Sequence, residues 1–243
     1  MVKKHSMPKE HPYSLPGISA VILDYGQVLA ERPTVEEFGR MAEVFNLSLD
    51  SFYELWEASR GPYDRGDLAA EEYWLQLAAK TNTLLNPKQI ETLRKLEVEM
   101  WAHPNPGMFD WVSQLRAAGI KTGLLSNMPW DLVRHVRTRC AWMEDFSFKT
   151  LSAEVKLIKP EPAIYEHALQ GLGVAAAEAL FIDDREENVQ AARNLGIRAI
   201  QFASVAGLRD ELEEWGFPIL PTAGASTAAD EPTREIKFSS FPR

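Results

Sequence analysis

The sequence predicts an α/β protein: a parallel sheet with helices on both faces, interrupted after its first strand by an all-helical insert. Three observations carry that expectation. From residue 104 onward, apolar runs of strand length alternate with helix-period stretches, the pattern of parallel strands linked by helices. Between Thr34 and Trp101 the apolar period is helical throughout. Four stretches, LDYGQVL, LLSNM, LIKPEP and LFIDDREEN, place acid, hydroxyl or amine where strands are expected to end, so residues distant in sequence can meet in one crevice.

Residues 1–17 are expected to form a mobile leader, basic but without the apolar core of a secretory signal. ISAVILD is an unbroken apolar run soon followed by glycine, which suits a buried central strand that delivers Asp24. The insert, residues 34–103, opens at Pro33 and Thr34 and closes at HPNPG, where two prolines and a glycine forbid a continuous helix. Within it, Phe38, Met41 and Phe45, then Phe52, Leu55 and Trp56, then Tyr73, Trp74 and Leu77, then Ile90, Leu93 and Leu96 recur at helical spacing. Its functional reading is a cap over the crevice, although most of its aromatics are expected to pack its own core.

After the insert the pattern predicts a helix over 107–118, strand KTGLLS, a helix over 129–140, a short strand over 146–151 and a helix over 160–171. Strand ALFIDD, a helix over 187–195, strand IRAIQF and a helix over 204–215 complete it, with Gly119 and Gly196 as helix stops. The core therefore comprises residues 18–33 and 104–220. Residues 221–243, rich in Ala, Thr, Ser, Pro and Gly, are expected to form a mobile tail.

A net charge of −9 opposes general affinity for nucleic acid, which depends on Lys and Arg meeting phosphates. Small anionic substrates remain compatible, because they need only a local cluster of donors and a metal ion. No run of about eighteen apolar residues is present to cross a bilayer, so no membrane partner and a cytoplasmic location are expected. The lone Cys140 shares an apolar helix-like side with Val133 and Val136 and reads as structural. Seven tryptophans, four of them in or beside the insert, leave room for a dimer contact, so monomer and homodimer both stand.

Four positions carry chemistry. Asp24 at a strand end is either a turn residue or a carboxylate nucleophile able to form an aspartyl phosphate. Ser126 and Asn127, at a strand-to-helix turn, either cap a helix or hold phosphoryl oxygens together with backbone N–H groups. Lys159, followed by Pro160, is placed to balance both a carboxylate and a phosphate, with Lys156 as its competitor. Asp183 and Asp184 close a buried strand, where adjacent acids are costly unless paired or bound to a cation, and magnesium prefers such oxygens. The string DDREE also fits a DDxxE pattern that holds magnesium diphosphate.

With these residues assembled, the chain resembles the haloacid dehalogenase (HAD) superfamily, specifically phosphatase-like members with an all-helical cap, over roughly residues 18–217. SNMPWD, KPEPAIY and IDDREENVQAARNLGI are similar to family sequence beyond the catalytic letters. The resemblance implies a Rossmann-like core and a magnesium ion (Mg2+) held by Asp24, the Gly26 carbonyl and Asp184, with Asp183 standing behind it. It also implies that Ser126 and Asn127 bind the phosphoryl group while Lys159 orients Asp24. The chain departs from the family at Gly26, where phosphatases usually carry an aspartate that protonates the leaving group, a function typically contributing about a hundredfold or more. Relatives with D-x-G-[GN]-V are similar to it. Glu31, Asp64 and Asp67 are candidates to replace that acid.

The function expected is therefore magnesium-dependent hydrolysis of a small phosphorylated metabolite. Alternatives are a dehalogenase-like hydrolase forming an aspartyl ester, and a weakened binding or diphosphate-handling relative. Substrate choice is expected from the insert, with Arg32, Trp56, Arg60, Tyr63 and Trp74 as candidates to face the cleft.

Overall fold

A computed structural model describes residues 17–222. The expected leader up to residue 16 and the tail from residue 223 lie outside the described residues. Five strands, β1 (Ala20–Leu23), β2 (Lys121–Ser126), β3 (Phe148–Leu151), β4 (Ala179–Asp183) and β5 (Arg198–Gln201), form one sheet in the order β3-β2-β1-β4-β5. Every pairing is parallel, with Ala20 opposite both Lys121 and Ala179. The chain moves from β1 outward through β2 and β3, then crosses back to β4, so its direction of growth reverses beside β1. That is where open α/β sheets bind ligands.

Helices cover both faces, which explains why β1 is apolar at every position: all four of its residues are buried. Successive residues feed opposite layers. Val21, Leu23, Leu124 and Ile182 pack with Met108 and Trp111 of α6 (Pro106–Ala117) and Leu208 of α11 (Val205–Glu214). Ala20, Ile22, Leu125 and Phe181 pack with Ile164 and Tyr165 of α9 (Pro162–Leu172) and Val189 of α10 (Glu186–Asn194).

Between β1 and β2 the chain forms α1 (Val35–Val44), α2 (Leu49–Ala58), α3 (Arg60–Asp64), α4 (Ala70–Thr81) and α5 (Pro87–Glu99). Phe38, Met41, Phe52, Trp74, Leu77 and Leu93 close a separate hydrophobic cluster, as their spacing predicted. A capping box between Thr34 and Glu37 starts α1. The two chain crossings are tied together, since Glu31 N donates to His103 O at 2.7 Å and Asn105 N donates to Leu29 O at 2.8 Å. Across the facing surfaces, Ser152 Oγ donates to Asp64 O, Arg94 forks onto Asp131 at 2.7 and 3.1 Å, and Arg185 pairs with Glu57. Gly66, at φ +76°, sits so close to the sheet side that an added Cβ would lie 2.7 Å from Trp130 Nε1.

Three local expectations shift. The helix anticipated from residue 160 begins at Pro162, because Glu161 precedes a proline and stays extended as the N-cap, leaving Pro162 at the first turn. The short helices α3 and α8 (Ser152–Val155) escape periodicity, being five and four residues long. Cys140 lies just past α7 (Trp130–Arg139) and is half-buried. Among the described residues no helix is long and apolar enough to cross a membrane.

Candidate active site

The three central strands β2, β1 and β4 deliver the chemistry. Asp24 follows β1, Ser126 ends β2, and Asp183 ends β4 with Asp184 next along the chain. Asp24 N donates to Ile182 O at 2.9 Å, which carries the ladder to the strand ends and fixes the two acid-bearing segments in register. Carboxylate oxygens of Asp24, Asp183 and Asp184 lie within 4.8 Å of one another.

Lys159 reaches into this group from the loop before α9. Its Nζ lies 2.8 Å from Asp24 Oδ1 and 2.7 Å from Asp183 Oδ2, and donates to Leu125 O at 3.1 Å. The lysine is 4% exposed, so three acceptors around the ammonium replace its water. Asp183 and Asp24 hold its pKa above the ordinary lysine value against the cost of burial. Lys156, its competitor in sequence, points elsewhere and donates to Gly66 O.

The carboxylates differ in their commitments. Asp183 is fully buried, and both its oxygens are used: Oδ2 by Lys159, and Oδ1 by Arg185 N and Asn188 Nδ2, each at 2.9 Å. It is a strut for the lysine, and the expectation that it also serves as a metal ligand is supported only by its proximity. Asp24 Oδ1 accepts from Lys159 and from Tyr25 N at 2.7 Å, and no hydrogen bond reaches Oδ2 from the described residues. Burial, opposed by Lys159 and reinforced by Asp183, raises the Asp24 pKa to about 6. Burial together with the charges of Asp24 and Asp183 raises Asp184 to about 7. Carboxylates crowded this way, all hard oxygen donors, fit a divalent cation such as magnesium, whose charge would relieve the repulsion.

Around them, the structure reassigns several residues. The Asn127 amide clamps the main chain of Lys159, with Nδ2 donating to O at 3.0 Å and Oδ1 accepting from N at 2.8 Å. Its side chain therefore holds the lysine loop, and one Nδ2 hydrogen remains without a partner among the described residues. Ser126 is a buried residue whose hydroxyl makes no hydrogen bond within the described residues. Gly26, at φ −62° and ψ 129°, does not need glycine for its backbone. A Cβ there would meet Trp101 Cζ3 at 3.4 Å, so the indole packs where a longer side chain would extend.

Of the proposed replacement acids, Asp64 is ion-paired with Arg60, Asp67 lies 3.8 Å from Lys156, and Glu31 is exposed. Of the five residues suggested to face the cleft, Trp56, Tyr63 and Trp74 are buried in the insert's own cluster, where Arg60 pairs with Glu97. Arg32 alone of the five bonds to a site residue: its Nε donates to Gln27 Oε1 at 2.7 Å, and Gln27 Nε2 donates to Asp184 Oδ2 at 2.8 Å. Sequence reasoning took Gln27 only as a side chain that cannot transfer protons as a carboxyl can, not as a partner of Asp184, and did not reach Asn188. Asn188 had a legible signal, since five residues after Asp183 is the first turn of the next helix; Gln27 had none. Two surface grooves, of about 320 and 420 Å³, flank α5 and are lined by Glu37, Arg40 and His103 and by Arg94, Asp131 and Arg134; Asp24, Asp183 and Asp184 line neither.

Comparison with known proteins bears on the family and the fold. A family model described as haloacid dehalogenase-like hydrolase matches residues 7–196. Phosphatase MT3486 of Mycobacterium tuberculosis is 26% identical over 188 residues, covering 75% of this chain and 86% of its own. Phosphoglycolate phosphatase of Yersinia pestis is 30% identical over 132 residues, 54% of this chain and 55% of its own. Among solved structures, the HAD family enzyme bt-2542 of Bacteroides thetaiotaomicron, in complex with magnesium and inorganic phosphate, superposes with a TM-score of 0.61 at 23% identity, covering 77% of this chain and 95% of its own. The L-2-haloacid dehalogenase RSc1362 gives 0.62 at 21%, over 76% and 86%. At these identities the superpositions establish the fold alone. The chain belongs to the haloacid dehalogenase-like hydrolases, and its relatives named as phosphatases mark it as a phosphatase-type hydrolase.

Proposed function

We propose that this chain hydrolyses a small phosphomonoester with magnesium, through an aspartyl phosphate on Asp24. The observation that carries the reading is the Asp24 carboxylate, pinned through Oδ1 by Lys159 at 2.8 Å and by its neighbouring N–H, with an Asp24 oxygen within 4.8 Å of Asp183 and Asp184 oxygens. Attack by Asp24 forms a new O–P bond as the ester O–P bond breaks; water then attacks the same phosphorus, returning the carboxylate and releasing phosphate. Lys159 balances charge on the nucleophile, and Asp183 keeps the ammonium in place. The Ser126 hydroxyl is available to donate to a phosphoryl oxygen. Magnesium, held by Asp24, Asp184 and the Gly26 carbonyl, would neutralise the phosphoryl oxygens.

The leaving oxygen finds no carboxyl at position 26. Substrates that need proton donation least are therefore favoured, such as a sugar 1-phosphate or an acyl phosphate. The acid pair favours phosphorus over carbon as the electrophile, because ester formation at a carbon–halogen bond needs no cation. The test is turnover of p-nitrophenyl phosphate by purified protein. Activity that requires magnesium, disappears with chelator and is lost in Asp24→Asn is expected. Chloride release from 2-chloropropionate without metal would overturn the reading.

A further inference from the structure

Gln27 is an unusual choice for its backbone. At φ 56° and ψ 5° it occupies the left-handed region, where a residue with a Cβ costs about 1–2 kcal/mol relative to glycine. Such strain persists where surrounding structure over-determines it, and often where a site uses it. Here the strained residue gives both ends of its amide to charged partners, Asp184 on one side and Arg32 on the other.

Arg32 is the outward end of this chain of contacts. Its backbone is restricted by the adjoining Pro33, and it stands one residue beyond the paired crossing at Glu31 and His103. Only Nε is used; among the described residues the two terminal guanidinium nitrogens have no hydrogen-bond or ion-pair partner. The neighbouring Arg185 is different, its fork being taken up by Glu57 and Glu187. Arg32 is exposed, so substrate can reach it. Two hydrogen bonds and one amide width place Arg32 Nε within roughly 8 Å of Asp184 Oδ2. That is the distance from a phosphoryl centre to a group a few bonds along the leaving group.

We infer that Arg32, seated by Gln27, is a specificity-determining subsite for a second oxyanion on the substrate, a carboxylate or a second phosphate a few bonds from the scissile ester. The inference rests on the phosphatase reading and narrows its substrate class. A planar fork held at Nε leaves a bidentate edge for an oxyanion, which a lysine cannot reproduce. Gln27 is the positioning residue that fixes the fork.

The experiment compares 2-phospholactate with isopropyl phosphate, which replaces the carboxylate by a methyl group, and adds ethanediol bisphosphate to separate carboxylate from phosphate. Wild type is expected to prefer the doubly anionic compounds by ~10- to 100-fold in kcat/KM, chiefly through KM. Arg32→Gln is expected to bring that ratio within about threefold of unity, Arg32→Lys to restore part of it, and Gln27→Gly to lower it while leaving the melting temperature no lower. A wild-type ratio near one, or equal losses on all compounds in Arg32→Gln, overturns the subsite. Absence of turnover of these compounds and of p-nitrophenyl phosphate alike would sink the phosphatase reading instead. Calorimetric titration of 2-phospholactate and isopropyl phosphate onto Asp24→Asn protein with magnesium then decides: tighter binding of 2-phospholactate that depends on Arg32 supports the subsite, and equal or undetectable binding of both overturns it.

Discussion

Replacing Lys159 by methionine tests the electrostatic core of the site. The ammonium lies 2.8 Å from one carboxylate and 2.7 Å from another, with the side chain 2% exposed. At an effective dielectric of about 20, each contact contributes on the order of 6 kcal/mol of gross attraction, most of it offsetting desolvation. Methionine preserves the stem and removes the charge, leaving Asp24, Asp183 and Asp184 crowded without a counter-ion. Breaking such a buried arrangement on one side destabilises by about 3–5 kcal/mol. Urea unfolding at pH 8 in chelator is expected to show that loss. The loss should shrink at pH 5.5, where Asp24 and Asp184 take up protons, and shrink again at pH 8 on adding magnesium. Turnover should fall at least about a hundredfold in every condition. A loss below about 1 kcal/mol at pH 8 without metal would refute the argument that Lys159 neutralises the acids.

The same geometry gives four further outcomes. Because Asp24 and Asp184 titrate near 6 and 7 in the fold, above the ordinary 3.8, the folded state binds protons more tightly than the unfolded chain. Their stabilising contribution is present at low pH and lost as pH rises through 6 to 7, so chelated protein should melt lower at pH 8 than at pH 5.5 and gain more from magnesium at pH 8. Equal magnesium shifts at both pH values in differential scanning fluorimetry would contradict this. Gly26→Ala should change stability by less than about 1 kcal/mol, since its φ and ψ suit any residue and the new Cβ meets Trp101 at van der Waals contact. Gly26→Asp should accelerate hydrolysis of an alkyl phosphate only when Trp101→Leu opens space, by roughly tenfold or more over Trp101→Leu alone; a gain in the single variant would show that the indole does not block the position. Asn127→Ala, which frees both polar groups of the Lys159 main chain, should lower kcat more than it raises KM, by about tenfold; a KM effect alone would return the amide to substrate binding.

Sequence alone determined the parallel sheet, the helical insert and the order of Asp24, Ser126, Lys159 and the acid pair. The sheet and insert are written in local periodicity, and Asp24, Ser126 and the acid pair at strand ends, where an apolar run stops at the edge of the core and the next polar residue must face the crevice; Lys159, expected at a strand end too, lies instead on the loop between α8 and α9. Tertiary structure decided the partnerships. Gln27 meets Asp184 across 157 positions, Asn127 meets the Lys159 backbone across 32, and Trp101 returns from the end of the insert to lie against Gly26. The sequence could register Gly26 as a missing acid but not the indole packed against it, and Asn127 as a polar turn residue but not its partner. Hydrogen bonds and packing contacts form between surfaces brought together by folding, and no residue's own spacing records which distant group it will face.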